Sequence, residues 1–159
     1  MKPKNLYHGS GIEITDNFIR MKPAHINNMQ TPITAVFATS NLVHAKIYAI
    51  MRLIGTGWKS PREADVLYVQ RLKSDIPEKA FVYELDSDGF QQDVDGNYYC
   101  LTDKKIKNVI EINIMQEIKN GNLKVYVLKD KFNIQNMSGD LWEEIIKDKS
   151  KFELYNPKI

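Results

Sequence analysis

Residues 6–10, with the sequence Leu-Tyr-His-Gly-Ser, bring a histidine and two small residues together at the end of a strand predicted over residues 5–8. Glycine lets a ligand approach the backbone closely, so the Gly9 amide and carbonyl can pair with a planar carboxamide. His8 offers a ring nitrogen to a sugar hydroxyl, and Ser10 completes this candidate binding site. On composition alone, a strand-end histidine followed by an ordinary turn explains the run at least as well.

A second candidate cluster occupies residues 36–41, Val-Phe-Ala-Thr-Ser-Asn, where a strand predicted over 35–39 runs into a helix predicted over 41–54. Thr39 and Ser40 stand at this junction. Tyr48 follows about two turns into the helix, so a helix that folds back beside the strand brings its ring toward Phe37. Two aromatic faces can hold a flat ring between them, although the spacing equally allows both rings to fill the core.

Together the two clusters resemble the poly(ADP-ribose) polymerase branch of the ADP-ribosyltransferase superfamily, in which a strand reading Leu-Trp-His-Gly-Ser precedes a strand-and-helix segment. Phe37 and Tyr48 stand in the order and spacing of the family's two nicotinamide-stacking tyrosines. The resemblance implies NAD as substrate, with its adenosine-side or nicotinamide ribose on His8, its carboxamide on Gly9 and its nicotinamide ring on Phe37 and Tyr48. Ala45 falls where the family has a carboxamide-binding serine, so one hydrogen bond of the family's pocket is not expected.

The family's third element is a later strand with a glutamate that stabilises the ribose as nicotinamide leaves. The matching strand here covers residues 98–101, and Tyr98 stands at the position of that acid, so the resemblance makes Tyr98 the second catalytic candidate beside His8. A phenol with a pKa of about 10 supplies no carboxylate charge. Glu84 and Glu111 are the clearest nearby acids, but both lie off the motif, and strand alternation predicts that they face solvent.

The resemblance therefore implies an enzyme that transfers a single ADP-ribose unit to a macromolecule, with a protein as the expected acceptor. A catalytically inactive module that binds NAD, ADP-ribose or a protein partner is the alternative. An NAD-dependent RNA 2′-phosphotransferase is a further alternative, although its histidine and arginine set cannot be placed in this sequence. His25 and His44 are interpreted as surface positions, and three irregularly spaced histidines predict no metal site.

Short apolar runs predict an α+β domain over residues 1–159, and the resemblance implies the split two-sheet ADP-ribosyltransferase-like fold. Strands are predicted over 5–8, 35–39, 66–70, 80–85, 98–101, 109–112 and 123–128. Helices are predicted over 41–54, 113–119 and 141–147, with Ser40 or Asn41, Asn113 and Asp140 as N-caps. Loops are predicted over 22–34 and 55–64.

The charge and composition of the 159 residues exclude several classes of function. The net charge is +2, and the one dense basic run, residues 103–107, is interpreted as a solvated loop, so nucleic-acid binding is not indicated. A single cysteine excludes an intrachain disulfide and a site built on several thiolates. The sequence shows neither a signal peptide nor an apolar span, so we expect a cytoplasmic protein without a membrane partner.

Overall fold

The computed structural model describes residues 2–24, 32–60, 62–93, 96–132 and 137–157, and this part of the chain is a mixed α+β protein. Its twelve strands are β1 (Asn5–Ser10), β2 (Phe18–Ile19), β3 (Lys22–Ala24), β4 (Ile33–Ala38), β5 (Gly55–Trp58), β6 (Val66–Leu72), β7 (Lys79–Asp86), β8 (Gln91–Gln92), β9 (Tyr98–Cys100), β10 (Lys104–Asn113), β11 (Lys124–Leu128) and β12 (Phe152–Leu154). Its three α-helices are α1 (Leu42–Ile54), α2 (Ile114–Lys119) and α3 (Gly139–Ile145). Within these ranges, no helix has the length and apolarity needed to cross a membrane.

The strands of the described residues form three four-stranded sheets. The first sheet has the order β1-β7-β10-β2, the second β3-β4-β9-β8 and the third β12-β11-β6-β5. The pair β6–β11 is parallel, whereas the other pairs are antiparallel. An isolated antiparallel bridge between Tyr7 and Thr39 joins β1 to the end of β4. The first and second sheets therefore meet where both sequence clusters lie.

Helix α1 begins where its sequence supplies a cap and a buried face. The Asn41 side chain accepts hydrogen bonds from the backbone N–H groups of Val43 and His44 at 2.9 and 3.3 Å, which satisfies two free donors of the first turn. The buried side chains of the helix lie on two sides. Ala45 and Ala49 are on the side that contacts Gly9 of β1, and Ile47, Ile50 and Ile54 recur at helical spacing on the other side. The predicted Asn41 cap is thus confirmed, and α1 is fixed against the first sheet by apolar burial.

Three hydrophobic clusters hold the sheets together. The first cluster packs α1 against β6, β7, β10 and β11, and Ile47, Val69 and Val82 are fully buried in it. The second fills the space between the first and second sheets, with Leu6 and Tyr98 among its members. The third lies between the third sheet and α3. The first sheet is therefore covered by α1 on one face and by the second sheet on the other.

Four sequence expectations about local structure are wrong. The loop predicted over 22–34 contains β3 and the start of β4, which pair with each other, while residues 25–31, including His25, lie outside the described residues. The loop predicted over 55–64 begins with β5, which pairs with β6. The close pairing needs glycine at position 57, because an added Cβ would lie 2.4 Å from the Tyr68 carbonyl oxygen. The basic run belongs to β10, where lysines suit a strand near a sheet edge. Ser138, not Asp140, caps α3 by accepting the Leu141 N–H at 3.2 Å.

Candidate functional site

The backbone of β1 is bonded to β7 along one edge and faces β4 along the other. The Lys4 carbonyl accepts the Ser87 N–H at 3.0 Å, which identifies the even-numbered residues of this segment as those bonded to β7. Tyr7 instead exchanges both of its backbone hydrogen bonds with Thr39, at 2.8 and 2.9 Å. The N–H and C=O of Gly9, two residues further on, therefore point away from β7 and toward β4.

The bridge between β1 and β4 is isolated, so the two strands do not continue as a ladder beyond it. A continued register would place Gly9 opposite Phe37. The Phe37 carbonyl instead accepts a hydrogen bond from Nδ1 of His8 at 2.6 Å. The edge of β1 at Gly9 is consequently a place where a planar donor and acceptor group can pair with backbone.

The ring of His8 is held in a defined tautomer by that hydrogen bond. A carbonyl oxygen only accepts, so Nδ1 carries the proton and Nε2 of the neutral ring is left with a lone pair. Burial lowers the pKa of His8 below its usual value of 6.5, and the charge of Lys22 lowers it further, against the opposing effect of the Phe37 carbonyl. His8 therefore presents an acceptor nitrogen at neutral pH, and no described residue binds it.

Helix α1 lies directly on the other side of Gly9. A Cβ added at Gly9 would lie 2.1 Å from the Ala45 carbonyl oxygen and 2.7 Å from the Ala49 nitrogen. Tyr48 stands between these two contact points in the sequence, with 48 % of its surface exposed, while desolvation by the surrounding protein raises the pKa of its phenol. Tyr48 thus belongs to the turn of α1 that contacts Gly9, and its partly exposed ring does not fill the core.

Strand β4 pairs with β9 so that Ala38 lies opposite Tyr98. Ala38 and Tyr98 pack in the cluster between the first and second sheets, and Leu6 of β1 packs in the same cluster. Side chains alternate along a strand, so His8 lies on the face of β1 that turns to this cluster, and Phe37 lies on the opposite face of β4.

His8 and Tyr48 accordingly approach the Gly9 edge from opposite faces of β1. Tyr98 lies on β9, which is connected to β1 only through β4 and the Tyr7–Thr39 bridge. A ligand that touches all of the candidate groups would therefore lie in the gap between β1 and β4 and reach both faces at that edge. A pocket confined to one face of the sheet does not fit these positions.

Two of the three hydroxyl side chains of the predicted site have other neighbours. Ser10 Oγ donates to the Ile12 carbonyl at 2.9 Å and accepts the Ile12 N–H, so it closes a local turn. Thr39 Oγ1 accepts the Asn41 N–H at 3.1 Å and shapes the entry into α1. Ser40 is exposed in the same entry segment. Ser10 and Thr39 thus have a local structural role that explains their types without a ligand.

Tyr98 is 8 % exposed and packs in the cluster between the first and second sheets. Its hydroxyl has no described partner, and the described residues contain no buried side-chain oxygen or nitrogen without one, so the hydroxyl end reaches the surface. Glu84 pairs with Tyr7 from the β7 side and is half-buried, whereas Glu111 is exposed and forms an ion pair with Lys79 at 2.5 Å. Neither carboxylate lies on a strand that pairs with β9, the strand of Tyr98.

Sequence reasoning missed Tyr99 as a lining residue. Tyr99 is half-buried and pairs with Phe37. Its hydroxyl donates a hydrogen bond to Oε1 of Gln91 at 3.0 Å. Only the pairing of β4 with β9 shows this neighbourhood, and the sequence carries no signal for that register. His44, expected at the surface, is partly buried, and burial lowers its pKa below 6.5.

A shallow depression of about 670 Å³ lies elsewhere, before the start of β1, and is lined by Lys2, Pro3, Lys4, Asp86, Ser87 and Asp88. It shares no residue with the candidate site. This depression and the candidate chemistry are therefore separate features of the molecule.

No protein-family model, curated protein or solved structure matches the chain.

Proposed function

We propose that the chain is an ADP-ribosyltransferase-like enzyme, which binds NAD and transfers a single ADP-ribose unit to a macromolecule. One observation carries the proposal. The Gly9 backbone edge, free on the β4 side, lies next to a neutral His8 whose Nε2 has no described partner. A carboxamide pairs with the first group, and a ribose hydroxyl donates to the second.

In this proposal the protein acts by orientation and charge more than by covalent catalysis. The Gly9 N–H and C=O hold the carboxamide of NAD, and the rings of Phe37 and Tyr48 border the nicotinamide. His8 accepts a ribose hydroxyl. The bond between the ribose and nicotinamide breaks, the acceptor nucleophile bonds to the same ribose carbon, and nicotinamide leaves with the electron pair of the broken bond.

The neutral phenol at Tyr98 supports transfer of one unit instead of chain growth. A hydroxyl that reaches the surface on the His8 face can hydrogen-bond a ribose but adds no negative charge to balance the departing nicotinamide. The same observation favours the second candidate function, an inactive module that binds NAD or ADP-ribose at this edge. The acceptor in this proposal is a protein.

An assay with NAD labelled on its adenine ring tests the proposal. We expect release of nicotinamide and products that carry one ADP-ribose unit, resolved by gel and mass. His8→Gln should weaken NAD binding about fivefold, the effect of one neutral hydrogen bond, while the matched control His44→Gln should leave it unchanged.

The outcomes separate the candidates. Binding that is sensitive to His8→Gln without release of nicotinamide would favour the inactive module. Polymeric product would show that another carboxylate serves the reaction. Absence of binding at millimolar NAD would remove both candidates.

A further inference from the structure

Four lysines surround the turn after β7, at the end of β1 opposite His8. Lys2 and Lys4 precede β1, and Lys104 and Lys107 belong to β10. Lys4 lies about 13 Å along the strand from His8, at four residues of strand rise. The two basic segments are remote in sequence and meet only in the folded chain, so the basic run of β10 contributes to a surface instead of a solvated loop. We call these four lysines, together with the depression beside them, the basic depression.

Three of the four lysines of the basic depression are held in place by neutral oxygens. Nζ of Lys2 donates to the Phe90 carbonyl at 2.6 Å, and Nζ of Lys104 donates to the Asp88 carbonyl at 2.6 Å. Nζ of Lys107 donates to Oδ1 of Asn5 at 2.8 Å. An ammonium group has three N–H donors, so each of these lysines is positioned and still has donors for a ligand.

Two carboxylates lie in the same region and leave the lysines in excess. Asp86 accepts the Asp88 N–H at 2.9 Å, and this bond, followed by the charges of Lys107, Lys104 and Lys4, lowers its pKa. Four lysines against Asp86 and Asp88 leave a local formal charge of +2, equal to that of the whole chain. This surface therefore carries an excess of positive charge.

We propose that the basic depression is a docking surface for a short acidic segment of a partner protein. Carboxylates satisfy the remaining ammonium donors, and a depression of about 670 Å³ accommodates a few residues of such a segment. A nucleic acid fits the surface less well. Phe90, the aromatic residue beside the lysines, is only 5 % exposed and offers no face on which a base can stack. An excess of two positive charges also neutralises only a few phosphates of a nucleic-acid backbone.

Binding at this surface is expected to be weak and dependent on salt, because exposed ion pairs contribute little each and are screened within about 10 Å at 0.1 M salt. A fluorescent peptide of eight glutamates is the probe, and fluorescence anisotropy is the measurement. A peptide of eight glutamines and an oligonucleotide of eight thymidines are its companions. The experiment contains no NAD, so its result is independent of the proposed function.

The variant Lys2→Gln with Lys4→Gln removes two charges in the segment before β1, where no strand hydrogen bond depends on a side chain. Its matched control, Lys119→Gln with Lys124→Gln, removes two exposed charges on α2 and β11. We expect the first variant to bind the glutamate peptide about tenfold more weakly and the control to bind it within about twofold of the parent.

Three results would overturn the proposal. They are no binding of the glutamate peptide at low salt, an equal loss of affinity in both double variants, and tighter binding of the oligonucleotide than of the glutamate peptide. The second result would mean that the peptide responds to the net charge of the protein and not to this surface. The third would assign the surface to nucleic acid.

Discussion

At the scale of single residues, the hydrogen bond from His8 to the Phe37 carbonyl decides which ring nitrogen a ligand meets. The carbonyl fixes the proton on Nδ1, and burial keeps the ring neutral, so Nε2 is an acceptor. A protonated ring would donate from both nitrogens and could no longer accept a ribose hydroxyl. The binding role of His8 therefore depends on its lowered pKa.

We predict that His8 titrates below its usual value of 6.5. The measurement is a titration of the ring protons by nuclear magnetic resonance, with His8→Gln to assign the signal. A midpoint above 6.5 would contradict the account, because it would require stabilisation of the charged ring.

The lowered pKa also makes folding stability depend on pH. Between the folded-state pKa and 6.5 the unfolded chain binds more protons than the folded chain, so the free energy of unfolding falls as the pH drops through this window. Below the folded-state pKa, His8 contributes no further change. Between about pH 7 and about pH 5, the free energy of unfolding should fall less in His8→Gln than in the parent. Denaturant unfolding of both proteins measures it.

At the scale of elements, the contact between α1 and β1 requires glycine at position 9. Replacing Gly9 by alanine places a methyl group 2.1 Å from the Ala45 carbonyl oxygen, which belongs to helix backbone and cannot rotate away. We predict that Gly9→Ala lowers the free energy of unfolding by about 3 kcal/mol, the upper part of the range for overpacking.

Gly11→Ala is the matched control for this prediction. An added Cβ there would lie 3.0 Å from the Leu53 side chain, which can adjust, so we expect a loss below about 1 kcal/mol. Equal losses in denaturant unfolding of the two variants would show that α1 does not rest on Gly9.

Strand β9 makes a prediction about its buried tyrosine. Tyr98→Glu would place a carboxylate in an apolar cluster at a position that is 8 % exposed, so we expect a loss of about 2–4 kcal/mol in unfolding free energy. Tyr98→Phe keeps the ring and should change stability by less than about 1 kcal/mol. A Tyr98→Glu protein as stable as the parent, by denaturant unfolding, would mean that the side chain faces solvent.

The elements that the sequence predicts well are those with a local signal. The Asn41 cap and the apolar spacing predict the first helix, and apolar runs predict the central strands β6, β7 and β11. The structure confirms all four elements. The strands β3 and β5 escape prediction because proline and glycine in them signal turns, whereas partners distant in sequence make them strands.

The candidate site shows the same division between local and distant information. The turn bonds of Ser10 and the cap of α1 are local, but the close approach of α1 to Gly9 and the pairing of Ala38 with Tyr98 depend on distant contacts and on strand register. Register follows from packing of whole faces, which short motifs do not contain. The type of each candidate residue was therefore accessible from sequence, and its neighbours were not.

At the scale of the whole molecule, the first sheet connects the two surfaces to which we assign binding. Strand β1 carries His8 and Gly9 near one end and follows Lys2 and Lys4 at the other, while β7 supplies the turn between Asp86 and Asp88. The apolar clusters on both faces of this sheet hold the strands in register. The proposed nucleotide site and the proposed docking surface therefore share strand β1 and its neighbour β7.

The central claim is that the nicotinamide end of NAD lies at the Gly9 edge, and backbone amide chemical shifts measured during a titration with nicotinamide test it most directly. The account predicts the largest shifts at Gly9, Phe37 and Tyr48, with the amides of Lys4 and Ser87 at the basic depression unaffected. Shifts largest at the basic depression, or none at millimolar nicotinamide, would contradict it.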